Sequence, residues 1–348
     1  MLQGYRVFDA DAHGSINPSM WDDLPEPFHA RRPRPVTIHD DNGLGNFTAG
    51  WLIEGSLEPH ALGPGAQQAN TPRNVLYEFG ANMNREHCSV GSMTLNDPGA
   101  RLADMDRMGF DVQMIFPSTL YAHMTSDPEF EAALCRAYNR FVAKQCAVDS
   151  RRLKWSGLLP LREPRQALLA IEEMQRLGAR AAVVFGTAGE RLLSDPSFLP
   201  IWDEFAGTEL PLCVHMGMSY PPLAQLGRSI YDGHIIGMSL PAQLAFMAIV
   251  GHRMLDRYQD LKVAFLIRRR MDFLHGLAHG SLLAARSRRP SIRFEHAECR
   301  RPAALQHPRL RQIRQNFYRR RSRRPHAATV IRFNRRRSCT VLLRLPPR

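Results

Sequence analysis

The sequence predicts an α/β protein: a parallel sheet rolled into an eight-stranded (β/α)8 barrel. Three observations carry that expectation. Short apolar strand patterns alternate with amphipathic helical ones over residues 5–266. Several strand patterns are near-continuous apolar runs, as parallel strands covered on both faces require. Polar residues stand at the C-terminal ends of two runs, the rim where such a barrel gathers its site.

The elements follow in order. The strand candidates are "YRVFDADAH", "FDVQMIFPS", "LKWSGLLPL", "ARAAVVFG", "ELPLCVHMG" and "LKVAFLI". Helices start where an aspartate precedes a proline, at Asp97-Pro98, Asp127-Pro128 and Asp195-Pro196. Each pair puts an N-cap acceptor before a residue whose fixed φ suits the first helical position. A helix over 128–148 is expected to bury Phe130, Leu134, Ala137, Phe141 and Val148 as one stripe. A helix over 164–177 does the same with Ala167, Leu168, Ile171, Met174 and Leu177, then stops at Gly178. An open doubly wound sheet fits the same order. No GxGxxG follows the first strand, so its dinucleotide-binding form loses its best support. Residues 14–96, rich in Pro, Gly and Asn, read as an insertion over the barrel mouth; a plain structural excursion is the rival reading.

Charge divides the chain in two. The 348 residues carry a formal net charge of +13. Residues 1–266 hold 23 basic and 30 acidic side chains, a net −7, whereas 267–348 hold 23 arginines against three acids, a net +20. The expected units are therefore a barrel body over 1–266 and an Arg-rich segment over 267–348. The start "MLQGYRVFDA" has no apolar stretch of signal-peptide length. The most apolar segment, "LPAQLAFMAIVG", is too short to span a bilayer, so no membrane role is expected. The six cysteines form no CxxC pair, which argues against a disulfide scaffold or zinc ribbon and fits a reducing cytoplasm.

The stretch "VFDADAHG" carries the chemistry. Strand side chains alternate, so Asp9, Asp11 and His13 are expected on one face. Buried carboxylates and an imidazole are costly together unless a cation joins them. Asp11 and His13 alone could equally be a helix cap or an ion pair beside a loop. His215 ends the fifth strand pattern, and a lone histidine there is more often a satisfied core residue. Strands one and five face each other across a barrel axis, which makes Asp11, His13 and His215 a candidate set for one divalent metal, zinc or manganese. Three protein ligands would leave positions open, as a catalytic metal needs.

These residues resemble the amidohydrolase-related branch of the amidohydrolase superfamily, whose decarboxylases act on aminocarboxymuconate semialdehyde, γ-resorcylate and similar acids. The matching stretches are "VFDADAH", "RLADMDRMGFDVQMIFPS", "CRAYNRFVAKQCAVDSRRLKWSGLLPL", "LGARAAVVFG", "LPLCVHMG" and "LDRYQDLKVAFL", about residues 5–266. The resemblance implies a metal-dependent TIM-barrel hydrolase fold. It places Asp11 and His13 at the first-strand ligand pair and His215 at the fifth-strand ligand. Tyr138 and Asn139 fall in a helix signature, where packing and hydrogen bonding are the expected roles. The implied activity is non-oxidative decarboxylation, by a carboxy-lyase, of a small aromatic or unsaturated carboxylic acid. Metal-dependent hydrolysis of an ester, amide or lactone is the alternative.

The pattern breaks after "LKVAFL". The family continues with a glutamate or histidine and a Gly-rich turn; here Ile267 is followed by Arg268, Arg269 and Arg270. The family's late catalytic aspartate has no counterpart, because residues 273–348 contain no aspartate, so the general acid/base is unassigned. Three readings of 267–348 compete. An out-of-frame translation of GC-rich DNA ranks first and a disordered arm second. Nucleic-acid binding, which would make the chain a non-catalytic binder, ranks last. The segment could supply two strands, "TVIRF" and "CTVLLRL", but its unpaired arginines make a barrel wall costly, so the fold is expected to be incomplete or distorted after residue 266. Six βα units would leave strand edges exposed, and a homodimer is the expected assembly.

Overall fold

Six strand patterns become six neighbouring parallel strands. The structure is a computed structural model that describes residues 6–15, 17–37, 49–58, 89–118, 124–217, 219–220, 222–223, 226, 236 and 239–267, with strand segments 293–294 and 339–344. The chain starts in β1 (Phe8–Gly14). Two 3-10 helices, Pro18–Asp23 and Glu26–Arg31, then lead to an antiparallel sheet of β2 (Arg34–Thr37), β3 (Ala49–Ile53) and β4 (Ser56–Glu58). The expected insertion thus contains strands of its own. Helices α1 (Val90–Thr94) and α2 (Pro98–Met108) precede β5 (Val112–Pro117).

From there strand and helix alternate as predicted. Helix α3 (Pro128–Cys146) leads to β6 (Leu153–Leu158), and α4 (Pro164–Leu177) to β7 (Ala181–Val184). A small ribbon of β8 (Thr187–Ala188) and β9 (Arg191–Leu192) precedes α5 (Leu199–Ala206) and β10 (Leu212–His215). Helix α6 (Leu240–Phe246), a π turn and α7 (Met254–Arg257) precede β11 (Val263–Ile267). The sheet order is β1-β5-β6-β7-β10-β11, every pair parallel.

The caps act as their chemistry requires. Asp97 accepts from Ala100 N at 2.9 Å, and Asp127 from Glu129 N at 3.0 Å and Phe130 N at 3.3 Å. Asp195 caps a 3-10 turn that runs into α5. Helix α4 ends at Gly178, whose φ of +81° is the left-handed conformation that closes a helix. Two stripe residues differ from expectation. Val148 lies past the end of α3 in a 3-10 turn and is exposed, and Leu168 is also exposed. Val148 has left the helix, and Leu168, one position after buried Ala167, is turned by about 100° from the buried stripe.

The sheet curls. On a flat sheet β1 and β10, four spacings apart, would be roughly 19 Å from each other. Yet the rings of His13 on β1 and His215 on β10 have centroids 5.1 Å apart. Only a strongly curved, barrel-type sheet brings these strand ends together. Helix α3 locks one wall: Asn139 donates to Leu158 O at 3.0 Å and accepts from Leu158 N at 2.7 Å. Helix α4 crosses β6 so closely at Gly157 that a Cβ there would stand 2.1 Å from Met174 Sδ.

Past β11 the eightfold pattern is lost. Segment β13 (Cys339–Arg344) pairs with β11 antiparallel, and β12 (Arg293–Phe294) pairs antiparallel with β13. One of the two strand candidates of the Arg-rich segment therefore forms, while "TVIRF" lies outside the described residues. Among the described residues no pairing joins β1 to the far end of the sheet. The fold is a (β/α)8-type half barrel, distorted after residue 266 as the sequence predicts.

Candidate metal centre

Strand β1 bends where it delivers its polar residues. Its register against β5 shifts between Asp9, opposite Gln113, and Ala12, opposite Ile115, which marks a β-bulge. The bulge separates Asp9 from the residues it was expected to join. Asp9 accepts from Asp11 N at 3.3 Å and from Gln113 Nε2 at 3.1 Å. It does not fall in the Asp11 cluster, which corrects the expectation of three polar side chains on one face. Sequence alternation cannot register a bulge, because the extra residue leaves no local signal.

Asp11, His13 and His215 do converge. Their ligand atoms lie within 4.8 Å of one another. Asp11 Oδ1 is 3.6 Å from His13 Nε2 and 3.4 Å from His215 Nε2. The far nitrogen of each ring faces a carbonyl: His13 Nδ1 is 3.2 Å from Pro117 O and His215 Nδ1 2.7 Å from Met216 O. A carbonyl only accepts, so each Nδ1 donates, and a neutral ring then presents its Nε2 lone pair to Asp11. In that form lone pair faces lone pair, whereas a ring carrying a proton on Nε2 would donate to the carboxylate. Asp11 Oδ1 is accordingly a buried oxygen without a hydrogen-bond partner.

The surroundings set how the cluster opens. His215 is nearly enclosed, with 7% of its side chain exposed, Asp11 has 15%, and His13 keeps 37%. Phe116 and Phe185 wall His215, their ring centroids 5.6 and 6.3 Å away. Burial raises the Asp11 carboxyl, but His13 and His215 outweigh it and hold the group well below the usual carboxylate range. For Asp9 burial dominates and raises the carboxyl, with the Asp11 amide, Arg101 and Gln113 opposing.

These donors fit a divalent cation. One buried carboxylate oxygen and two imidazole nitrogens, each ring fixed by its other N–H on a backbone carbonyl, form a mixed O/N set that suits zinc or manganese. The separations of 3.4 and 3.6 Å match two ligands each about 2.1 Å from a shared ion.

A curled parallel sheet with an Asp/His cluster at its C-terminal rim defines a barrel-type α/β fold with its polar site where such barrels carry one. The family model described as "Amidohydrolase" matches residues 11–266, well over half of the chain. This chain belongs to the amidohydrolase family. It is 23% identical over 206 residues to the gamma-resorcylate decarboxylase of Polaromonas sp. strain JS666, a match covering 56% of this chain and 62% of that protein. The chain thus spans less than two thirds of the length of that curated relative.

Two solved structures share the fold. The 5-carboxyvanillate decarboxylase of Novosphingobium aromaticivorans DSM 12444, solved with bound manganese and 3-methoxy-4-hydroxy-5-nitrobenzoic acid, is 17% identical. Its TM-score is 0.50, over 75% of this chain and 66% of that one. An amidohydrolase of Mycobacterium avium subsp. paratuberculosis K-10 is 18% identical with a TM-score of 0.52, over 75% of this chain and 72% of that one.

Among the described residues no helix is long and apolar enough to cross a membrane. Tyr138 and Asn139 take the expected packing roles: both are buried, and Asn139 bonds to the backbone of Leu158.

Proposed function

We propose that this chain is a metal-dependent decarboxylase of the amidohydrolase family, with Asp11, His13 and His215 holding one divalent ion, manganese or zinc. The observation that carries the reading is the buried Asp11 Oδ1, which has no hydrogen-bond partner while two imidazole nitrogens face it at 3.4 and 3.6 Å. A cation shared by the three groups removes that mutual repulsion, as would a proton on either Nε2, and the metal assay below separates the two.

The substrate class is a small aromatic carboxylic acid, supported by the gamma-resorcylate decarboxylase relative and by the aromatic acid bound to the carboxyvanillate enzyme. When bound, a divalent ion would stabilise charge on the substrate carboxylate and its neighbouring oxygen as the C–C bond breaks. The protein's part is positional. The buried Phe116 and Phe185 rings exclude water from the His215 side, and the exposed edge of His13 leaves the approach from solvent. Arg31, at the end of the second 3-10 helix, bonds Asp127 at the start of α3, which supports reading residues 14–96 as an insertion over the barrel mouth. The described cysteines, Cys135, Cys146 and Cys213, are free thiols, which supports a reducing cytoplasmic setting.

Elemental analysis of the purified, folded protein tests the reading, alongside CO2 release from γ-resorcylate and 5-carboxyvanillate. About one divalent ion per chain is expected. Folded protein that takes up neither manganese nor zinc would defeat it.

A further inference from the structure

The Asp11 backbone amide stands at the end of a hydrogen-bond chain that reaches the helix layer. Arg101, on α2, donates through Nη1 to Ser92 O at 3.2 Å and through Nε to Gln113 Oε1 at 2.7 Å. Gln113, on β5, donates through Nε2 to Asp9 Oδ2 at 3.1 Å. Asp9 Oδ1 accepts the backbone N–H of Asp11 at 3.3 Å. Arg101, Gln113 and Ser92 are all buried. Each link is directional: the guanidinium only donates, the carboxylate only accepts, and the amide between them does one of each. The chain also sits across the bulge, where β1 has one residue more than β5 and its backbone is least constrained by the ladder.

We propose that Asp9, Gln113 and Arg101 are positioning residues for the metal centre. Resting on the reading of Asp11 as a ligand, they fix the bulged backbone so that the Asp11 carboxylate faces His13 and His215. Partners behind a ligand typically matter for metal affinity by tenfold or more. Here the support acts through the ligand's backbone amide and not through its carboxylate, which leaves Oδ1 free for the cation.

The polarity of the chain allows a swap test. Asp9→Asn turns one oxygen into an N–H donor that opposes the Gln113 donor. Gln113→Glu sets a carboxylate against Asp9. The double variant D9N/Q113E restores every link with the same total charge: Asn at 9 accepts from Asp11 N and donates to Glu at 113, which still accepts from Arg101. Mn2+ affinity of the full chain, by calorimetry and the Mn2+ electron-spin spectrum, should fall about tenfold in each single variant and return to within about twofold in the double. Hydrogen exchange at the Asp11 amide in metal-free protein should accelerate in both singles and slow again in the double.

A double variant no better than the singles, or singles with unchanged affinity and exchange, would overturn the proposal. If a single variant does not fold, Gln113→Met breaks the chain without adding charge and must show the same losses. Wild-type protein that binds no Mn2+ but shows the predicted exchange pattern would remove the metal reading and keep the anchoring. Asn139→Ala, which disturbs a different buried staple, should lower stability without moving Mn2+ affinity, separating positioning from general loosening.

Discussion

His215 Nε2 lies 3.4 Å from Asp11 Oδ1, the first residue at the end of β10 and the second on β1, with three strands of the sheet between. The pair measures the curl of the sheet and also defines the most enclosed side of the candidate centre. Replacing His215 by Ala removes one of the three proposed ligands and leaves Phe116 and Phe185 facing a void. Bound manganese or zinc in the purified protein should fall at least about tenfold, read by elemental analysis, with decarboxylation falling in parallel. Metal content equal to wild type would remove His215 from the ligand set.

Asn139 tests a structural role with a number attached. Its amide satisfies both backbone groups of Leu158, and the residue is buried, so no water replaces it. Asn139→Ala leaves a buried N–H and a buried C=O unmatched, at about 1–3 kcal/mol each. Urea denaturation should show a loss of about 3 kcal/mol. A loss under about 0.5 kcal/mol would mean that the β6 wall relaxes to find other partners.

Much of this architecture was legible locally. The six parallel strands appear as apolar runs, and Asp97, Asp127 and Gly178 mark helix ends by chemistry that acts within a turn. Asp11, His13 and His215 could be gathered because strand ends on a barrel rim meet by topology. What escaped was set by pairings distant in sequence. The bulge at Asp9–Ala12 is a mismatch against β5, invisible in β1 alone, and it sets Asp9 apart from the Asp11 cluster and onto Gln113. The sheet of β2, β3 and β4 lies in a Gly- and Pro-rich stretch without clear alternation. Antiparallel β13 has a readable apolar core, "TVLL", but its direction beside β11 depends on the whole sheet.

The buried thiols on α3 give a prediction about pH. Burial pushes Cys146 up to about 12, with the nearby Arg101 offsetting only part, and burial likewise raises Cys135 well above its usual range. A raised folded pKa favours the neutral form. Its contribution to stability is therefore complete below the unfolded value of about 8.5 and is lost as pH rises toward the folded one. Iodoacetamide at pH 8 should leave Cys135 and Cys146 unmodified in native protein and label both in urea, read by peptide mass spectrometry. Labelling of either residue in native protein would contradict the packing of α3 on β6.

Asp127 combines two jobs that substitutions can separate. It caps α3 through Glu129 N and Phe130 N, and it bonds Arg31 Nη1 at 2.7 Å, while the Arg31 guanidinium lies 4.2 Å from the centre of the Phe130 ring. Asparagine caps a helix about as well as aspartate, so Asp127→Asn removes chiefly the ion pair. Both partners are about a third exposed, which limits that pair to less than about 1 kcal/mol. Asp127→Ala also loses the cap and should cost about 2 kcal/mol in chemical denaturation. The Arg31 contact, with burial opposing and the two helix N–H groups assisting, holds the Asp127 carboxyl below its usual range. Stability from a depressed carboxyl is present above the unfolded value of about 3.9 and is lost as pH falls below it and through the lower folded value. The gap between wild type and Asp127→Asn should therefore close in acid. A gap that does not narrow as pH is lowered from about 5 into the acid range would assign the effect to something other than charge.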